Sequence, residues 1–110
     1  MLTARAYLIQ RLSALLMAPF VLGHLAVMIY AIEGGLSVGE ILSRTQDSLI
    51  WFLFYGSFVL AVSIHAALGL KVILAEWAGI SGQANSVISW VIGLGLLIMG
   101  GQAIWSVTFA

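Results

Sequence analysis

The chain lacks cysteine and has very few charges, and each shortage excludes whole classes of protein. Without cysteine there are no disulfides, thiolate zinc sites or cysteine-held iron–sulfur clusters within this chain. Charged residues make up 7% of the 110 residues, whereas about a quarter is usual for soluble domains. The formal net charge is zero, so we expect no binding to nucleic acid. Because 63% of the residues are hydrophobic, the composition predicts a protein whose solvent is the lipid bilayer.

Three long uncharged runs predict three membrane-spanning helices in an all-α, up-down bundle. The runs are Leu12–Ile32, Leu49–Leu70 and the apolar part of the stretch after Trp77. As an α-helix rising about 1.5 Å per residue, each run is long enough to cross the hydrocarbon core of roughly 30 Å. We therefore predict one transmembrane domain over residues 1–110, with spans at about 8–32, 49–73 and 86–108.

The first run is expected to be a retained helix rather than a signal peptide. It is longer than the apolar stretch of most signal peptides, and no small-residue cleavage site with a polar flank follows it. Pro19 lies inside the run and has no backbone N–H, so the carbonyl of Leu15 loses its helical donor. The first span is therefore predicted to have a weak point near Pro19, where it can kink.

The positions of the basic residues predict an N-terminus on the cytoplasmic side and a C-terminus outside. Arg5 and Arg11 precede the first span, and Lys71 follows the second. The loop between those spans has Arg44 alone, beside three acidic residues. Lys and Arg are enriched in cytoplasmic loops, so this first loop is predicted to lie outside. Within it, Ser37 and Glu40 have capping-box spacing, which predicts a short surface helix over residues 38–44.

Two histidines lie inside the predicted spans, where ionisable residues are rare and are functional candidates by default. Ala61 and Gly69 lie one turn on either side of His65 and share its face, which predicts a flat strip beside the imidazole. Such a strip suits a haem held through His65, with Lys71 near a propionate. The same residues also fit a histidine that bonds a neighbouring helix, with Ala61 and Gly69 allowing close packing.

The second histidine, His24, has no such strip, because Phe20 and Met28 flank it on its face. Counted from the span ends, His24 and His65 differ in depth by roughly 10 Å. Two imidazoles that share one iron lie only about 4 Å apart, since each metal–nitrogen bond is about 2 Å long. If both histidines bind haem, they bind different haems. Each haem then needs a second histidine from another chain.

Polar residues at the start of the first span are candidates for a quinone site. Tyr7, Gln10, Arg11 and Ser13 form a polar cluster there, close to the membrane surface, and we expect Tyr7, Arg11 and Ser13 to border the quinone. A cation beside hydroxyl groups suits a quinone carbonyl, which gains negative charge on reduction. Alternatively, Arg11 only reaches to the lipid headgroups.

No catalytic residue is assigned. The sequence shows no nucleophile–base pair, phosphate-binding loop or paired carboxylates, so any substrate chemistry must belong to other subunits. In the third span, Gly93 and Gly100 share a face and predict close packing against another helix.

Two segments resemble the cytochrome b membrane anchor of succinate dehydrogenase and fumarate reductase. One is Gln10–Ser13, and the other runs from His65 to Glu76. The family pattern has a basic residue and a nearby serine in helix one, and a histidine, glycine, basic residue and acid in helix two. The matching positions are Arg11, Ser13, His65, Gly69, Lys71 and Glu76. Gln10 and Val72 stand where the family often has histidine.

The resemblance implies that His65 is an axial ligand of haem b and that Lys71 lies near its propionates. It implies that Arg11, with Ser13 or Tyr7, borders a site for ubiquinone or menaquinone. His24 is similar to the first-helix ligand of the two-haem branch, so the number of haems stays open.

The implied partners are a flavoprotein subunit, an iron–sulfur subunit and a second small membrane anchor. The implied location is the bacterial inner membrane rather than the mitochondrial one. Two alternatives stay open: an anchor of the same kind without haem, and a small transporter or accessory membrane subunit. Discontinuous helices or polar residues at the bilayer midplane would favour a transporter, and only Pro19 and His24 hint at that.

Overall fold

A computed structural model describes residues 3–109, and the secondary structure of this part of the chain consists of helices, without strands. The helices are α1 (Ala4–Glu33), α2 (Val38–Thr45), α3 (Leu49–Trp77) and α4 (Gly82–Thr108). Helices α1, α3 and α4 are long and apolar enough to cross a membrane. The all-α class and the three predicted spans are therefore confirmed, and α1 continues as one helix on both sides of Pro19.

Hydroxyl side chains cap the N-termini of three of the four helices. Thr3 Oγ1 accepts from the N–H of Ala6 at 3.1 Å, and Ser48 Oγ accepts from the N–H of Trp51 at 3.3 Å. Ser37 caps α2 as predicted, since its Oγ accepts from the N–H of Glu40 at 3.0 Å. The Glu40 carboxylate binds Arg44 at 2.8 Å, one turn further along α2.

Helix α3 is the central element and packs against both α1 and α4. Two glycines allow α4 to approach it closely, as their shared face predicted. A Cβ at Gly93 would lie 2.8 Å from the Cβ of Ala67, and one at Gly100 would lie 2.6 Å from a methyl carbon of Val59. The α3–α4 contact is therefore close at Gly93 and Gly100 because these two positions lack side chains.

Helix α1 is covered much less, because Ser13 and Ala31 are its only buried residues within the described chain. Leu15 and Leu22 are 71% and 69% exposed. A single exposed leucine is ordinary, but a helix that exposes nearly all its apolar side chains needs another apolar medium. Lipid is such a medium, in keeping with a membrane-spanning helix.

Contacts at the two ends of the bundle show which chain segments share a side of the membrane. At one end, Thr45 Oγ1 donates to the carbonyl of Val107 at 2.7 Å, which joins α2 to the end of α4. At the other end, Asn85 Nδ2 donates to the carbonyls of Lys71 and Ile80, both at 2.9 Å. The three spans therefore alternate in direction, and the cytoplasmic position of the N-terminus stays a prediction.

The α3–α4 interface predicts that Gly93→Ala destabilises the protein by about 1–3 kcal/mol, because an overpacked core must shift to admit a methyl group. The methyl group would meet the Cβ of Ala67 and, at 3.4 Å, the backbone oxygen of Ser63. The apparent thermal midpoint in detergent measures the effect. Gly95→Ala is the matched control, since the described chain puts no atom within 4 Å of a Cβ there. Equal midpoints for both variants would contradict the interface.

The predicted orientation can be tested with single cysteines, because the chain has none of its own. Gln46, near the α2 end of the bundle, and Gln83, at the start of α4, are both exposed. In intact cells, we expect an impermeant maleimide to label Gln46→Cys and to leave Gln83→Cys unlabelled until the membrane is opened and the protein is denatured. Labelling of Gln83→Cys alone in intact cells would show that the orientation is the reverse of the predicted one.

Candidate functional site

The imidazole of His65 lies between α3 and α1, where two oxygen atoms of α1 contact the same ring nitrogen. His65 Nδ1 is 3.2 Å from Ser13 Oγ and 3.3 Å from the backbone carbonyl oxygen of Gln10. Ser13 Oγ in turn donates to that Gln10 carbonyl at 2.8 Å. The three groups form one small network, and Ser13 is only 8% exposed.

From this network we assign one tautomer to His65. A carbonyl oxygen can only accept a hydrogen bond, so the contact with Gln10 requires the ring proton to be on Nδ1. In neutral imidazole the other nitrogen, Nε2, then carries a free lone pair. Within residues 3–109, His65 Nε2 has no hydrogen-bond partner. Metal-bound histidines show this arrangement, with one nitrogen bonded to an oxygen and the other turned to the metal.

The flat strip predicted beside His65 is not open. Ala61 is only 4% exposed, and the Gln10 side chain fills the space at Gly69, where a Cβ would lie 3.3 Å from Gln10 Nε2. The reason is that α1 lies over this face of α3. A groove of about 310 Å³ opens instead between the two helices, and Ser13 and Ala61 line part of it.

The side chain of Gln10 is a polar group whose contact with this site the sequence did not reveal. Its amide oxygen Oε1 is buried and has no hydrogen-bond partner in the described chain. The signal that was available is positional: Gln10 stands three residues before Ser13 on α1, so both residues lie on one face of that helix.

Lys71 does not share the face of His65. Six residues separate the two along α3, which places them about 120° apart around the helix axis. Lys71 borders a polar cavity of about 250 Å³ on the α4 side, together with Ser81, Asn85 and Ser86. A propionate lies at the edge of a porphyrin rather than beside the axial ligand, so the position of Lys71 near a propionate stays a prediction.

His24 lies far from His65. Because His65 contacts Ser13, the distance along α1 from Ser13 to His24, about 16 Å, measures their separation in depth. The two histidines of one chain therefore cannot share an iron, which agrees with the depth difference predicted above.

The surroundings of His24 are aromatic and apolar. Its ring meets the rings of Tyr55 and Phe58 edge-on, with centroids 6.0 and 5.7 Å away. It borders two cavities of about 460 and 240 Å³, and the smaller one reaches Arg44. His24 Nδ1 is buried and lacks a hydrogen-bond partner in the described residues. His24 thus lacks the bonded Nδ1 that distinguishes His65.

Of the three residues predicted to border a quinone, the structure brings two together. The Arg11 guanidinium lies over the ring of Tyr7, 5.7 Å from its centroid, and both residues are exposed. Ser13 turns away from them and into the α1–α3 contact. An exposed cation–aromatic pair thus lies near the start of α1, while the serine hydroxyl is already engaged.

A metal held by side chains of this chain alone is not indicated, since no three His, Asp or Glu side chains cluster within residues 3–109. A haem makes a smaller demand, because its porphyrin supplies four nitrogen ligands and the protein supplies only axial ones. In the described chain, His65 Nε2 is a nitrogen without a hydrogen-bond partner.

One comparison with known proteins gives a match. Residues 1–105 match the sequence profile of the family described as succinate dehydrogenase/fumarate reductase transmembrane subunit. No curated protein and no solved structure is similar enough to the chain to count as a match. The profile spans all three long helices and includes both histidines.

Proposed function

Because this chain belongs to the succinate dehydrogenase/fumarate reductase transmembrane subunit family, we propose that it anchors a succinate:quinone oxidoreductase and binds haem b through His65. The membrane-anchor role follows from the family and the three apolar helices. The observation that carries the haem proposal is the state of the His65 ring, whose Nδ1 is bonded to α1 while Nε2 is free.

The residues around His65 fit an axial haem ligand. The bonded Nδ1 holds the ring orientation and raises the basicity of Nε2, which is what an iron ligand requires. The groove lined by Ser13 and Ala61 opens on the same α1–α3 contact, but His65 is not among its lining residues. When bound, the haem would supply a one-electron carrier inside the bilayer. The contribution of the protein is the ligand, its orientation and the exclusion of water.

A second chain must contribute to this site, because His24 is too far along the bundle to supply the other axial nitrogen. We therefore assign the partner histidine to a second small membrane anchor. A flavoprotein and an iron–sulfur subunit would dock on the cytoplasmic face and carry out the succinate chemistry. This chain has no cysteine for a cluster of its own. The expected membrane is the bacterial inner membrane.

Arg11 and Tyr7 are the groups that we assign to quinone. Their side chains pack together on the exposed face of α1. A guanidinium beside the carbonyl oxygen of a quinone stabilises the negative charge that develops on reduction. The phenol of Tyr7 can donate a hydrogen bond or a proton at the same place. Ubiquinone and menaquinone both present this carbonyl, so these contacts do not distinguish them.

A haem-free anchor is the second candidate, and one observation favours it. The bonds from His65 to Ser13 and Gln10 join α3 to α1, so the same ring is able to serve as a tie between helices. The two candidate roles differ in whether they give His65 Nε2 a function. A tie needs only Nδ1, whereas a haem ligand uses both nitrogens.

Removal of the imidazole separates these candidates. In the purified complex, we expect His65→Ala to remove the contribution of the haem at His65 from the low-spin b-type absorption spectrum. His24→Ala is the matched control, and it should leave the haem at His65 in place. A pyridine haemochrome assay gives the haem count: a loss of one of two haems in His24→Ala would support a second, outer haem. Full haem content in His65→Ala would show that His65 does not bind haem and would favour its role as a tie between helices.

Removal of the guanidinium tests the quinone assignment. A hydrogen bond to a charged group is worth about 1.5–3 kcal/mol, so Arg11→Gln should lower kcat/KM for quinone by roughly 10- to 100-fold. Electron transfer from succinate to a water-soluble acceptor should persist, because that chemistry lies on other subunits. Arg5→Gln is the control, as it removes another exposed cation of α1. Equal effects of both substitutions on kcat/KM for quinone would show that Arg11 interacts with lipid headgroups rather than with quinone.

A further inference from the structure

We infer that Ser13 is a positioning residue for His65 and does not bind quinone. Its hydroxyl oxygen accepts the Nδ1 proton of the imidazole, which fixes the ring and strengthens Nε2 as an iron ligand. This inference rests on the proposed haem ligation by His65. It changes the role of Ser13 from the one that the sequence predicted.

The hydrogen bonds of Ser13 leave no donor for a quinone. A serine hydroxyl has one proton and two lone pairs. The proton goes to the Gln10 carbonyl at 2.8 Å, so at 3.2 Å from His65 Nδ1 the oxygen acts as an acceptor. Because Ser13 is 8% exposed and lies between two helices, neither water nor a quinone headgroup replaces these partners readily. Both functions of the hydroxyl are therefore used inside the α1–α3 contact.

The Gln10 carbonyl alone is a poor substitute for the serine. It lies 3.3 Å from Nδ1, against 3.2 Å for Ser13 Oγ, so distance alone does not separate the two acceptors. The Gln10 carbonyl, however, also accepts from the Ser13 hydroxyl and, as a helix carbonyl, from the backbone one turn later. Without Ser13, the ring N–H is left with one bond to a shared acceptor. The hydroxyl therefore decides how strongly Nδ1 is bonded.

The direction of the effect on a bound haem follows from the charge of the iron. A strong bond from Nδ1–H increases electron donation from Nε2, which stabilises the ferric state more than the ferrous state. Loss of the Ser13 oxygen should therefore raise the reduction potential and weaken haem retention. Loss of such an outer partner typically costs 10- to 100-fold in metal affinity.

The test uses the whole complex with three variants of this chain. Ser13→Ala removes the acceptor, and Ser13→Thr keeps a hydroxyl that can bond to the same helix carbonyl. Ser63→Ala is the matched control: Ser63 is a buried span serine, 5% exposed, and its hydroxyl donates to Val59 of its own helix. The measurements are the haem midpoint potential, the rate of haem loss to a scavenging apoprotein, and the KM for quinone.

We expect Ser13→Ala to raise the potential and to speed haem loss about tenfold or more, with an unchanged KM for quinone. Ser13→Thr and Ser63→Ala should resemble the wild type. If the alanine complex does not assemble, Ser13→Cys should move both haem measurements in the same direction, because a thiol is a weaker acceptor.

Two results would overturn the inference while the proposed function stands. One is an unchanged potential and unchanged haem retention in Ser13→Ala. The other is a raised KM for quinone with a normal haem, which would restore Ser13 to the quinone site. A wild-type complex without haem would instead overturn the proposed function, and the role of Ser13 with it.

Discussion

A histidine in the hydrocarbon layer has a ring N–H that finds no water, and an unbonded donor there costs several kcal/mol. In this protein the acceptors for that N–H come from a different helix, α1, and they are the Ser13 hydroxyl and the Gln10 carbonyl. The need to satisfy one nitrogen of His65 thus joins the two helices. It also leaves the other ring nitrogen, Nε2, unbonded within the described chain. This nitrogen is the group at the site that is available to bind a ligand.

The two interfaces of α3, with α4 and with α1, are stabilised by different interactions. Lipid tails are as apolar as leucine, so helices in a bilayer associate through close packing and hydrogen bonds rather than through the hydrophobic effect. Towards α4, close packing dominates, with Gly93 and Gly100 bringing the backbones together. Towards α1, the contact includes the His65 network, and most of α1 remains exposed. The α1 side is therefore where further helices can add, next to the groove and the proposed haem ligand.

The amino-acid sequence predicts the helices well because length, hydropathy and capping residues act locally. The spans, the Ser37 cap and the Gly93–Gly100 face all depend on residues a few positions apart, and all are confirmed. The surroundings of His65 are less predictable, because they depend on which face of α1 lies over α3. Periodicity places Ala61 and Gly69 beside His65, but it does not show that Gln10 covers Gly69.

The same limit explains the residues that the sequence groups together and the structure separates. Ser13 and Arg11 are neighbours in sequence and both polar, so both are predicted at one quinone site. Two positions along a helix turn the side chain by about 200°, and Ser13 therefore faces α3 while Arg11 faces outward.

The spacing of the two histidines has a consequence for assembly. Each lies at its own level of the bundle, and neither has a second histidine of the described chain at that level. A haem held by two imidazoles at the level of His65 must therefore join this chain to another. Anything that binds the assembled state and not the separated chains stabilises the assembly by mass action. If His65 is an axial ligand, haem is thus a structural link between anchors as well as an electron carrier, and α1 sets the strength of that link through Ser13.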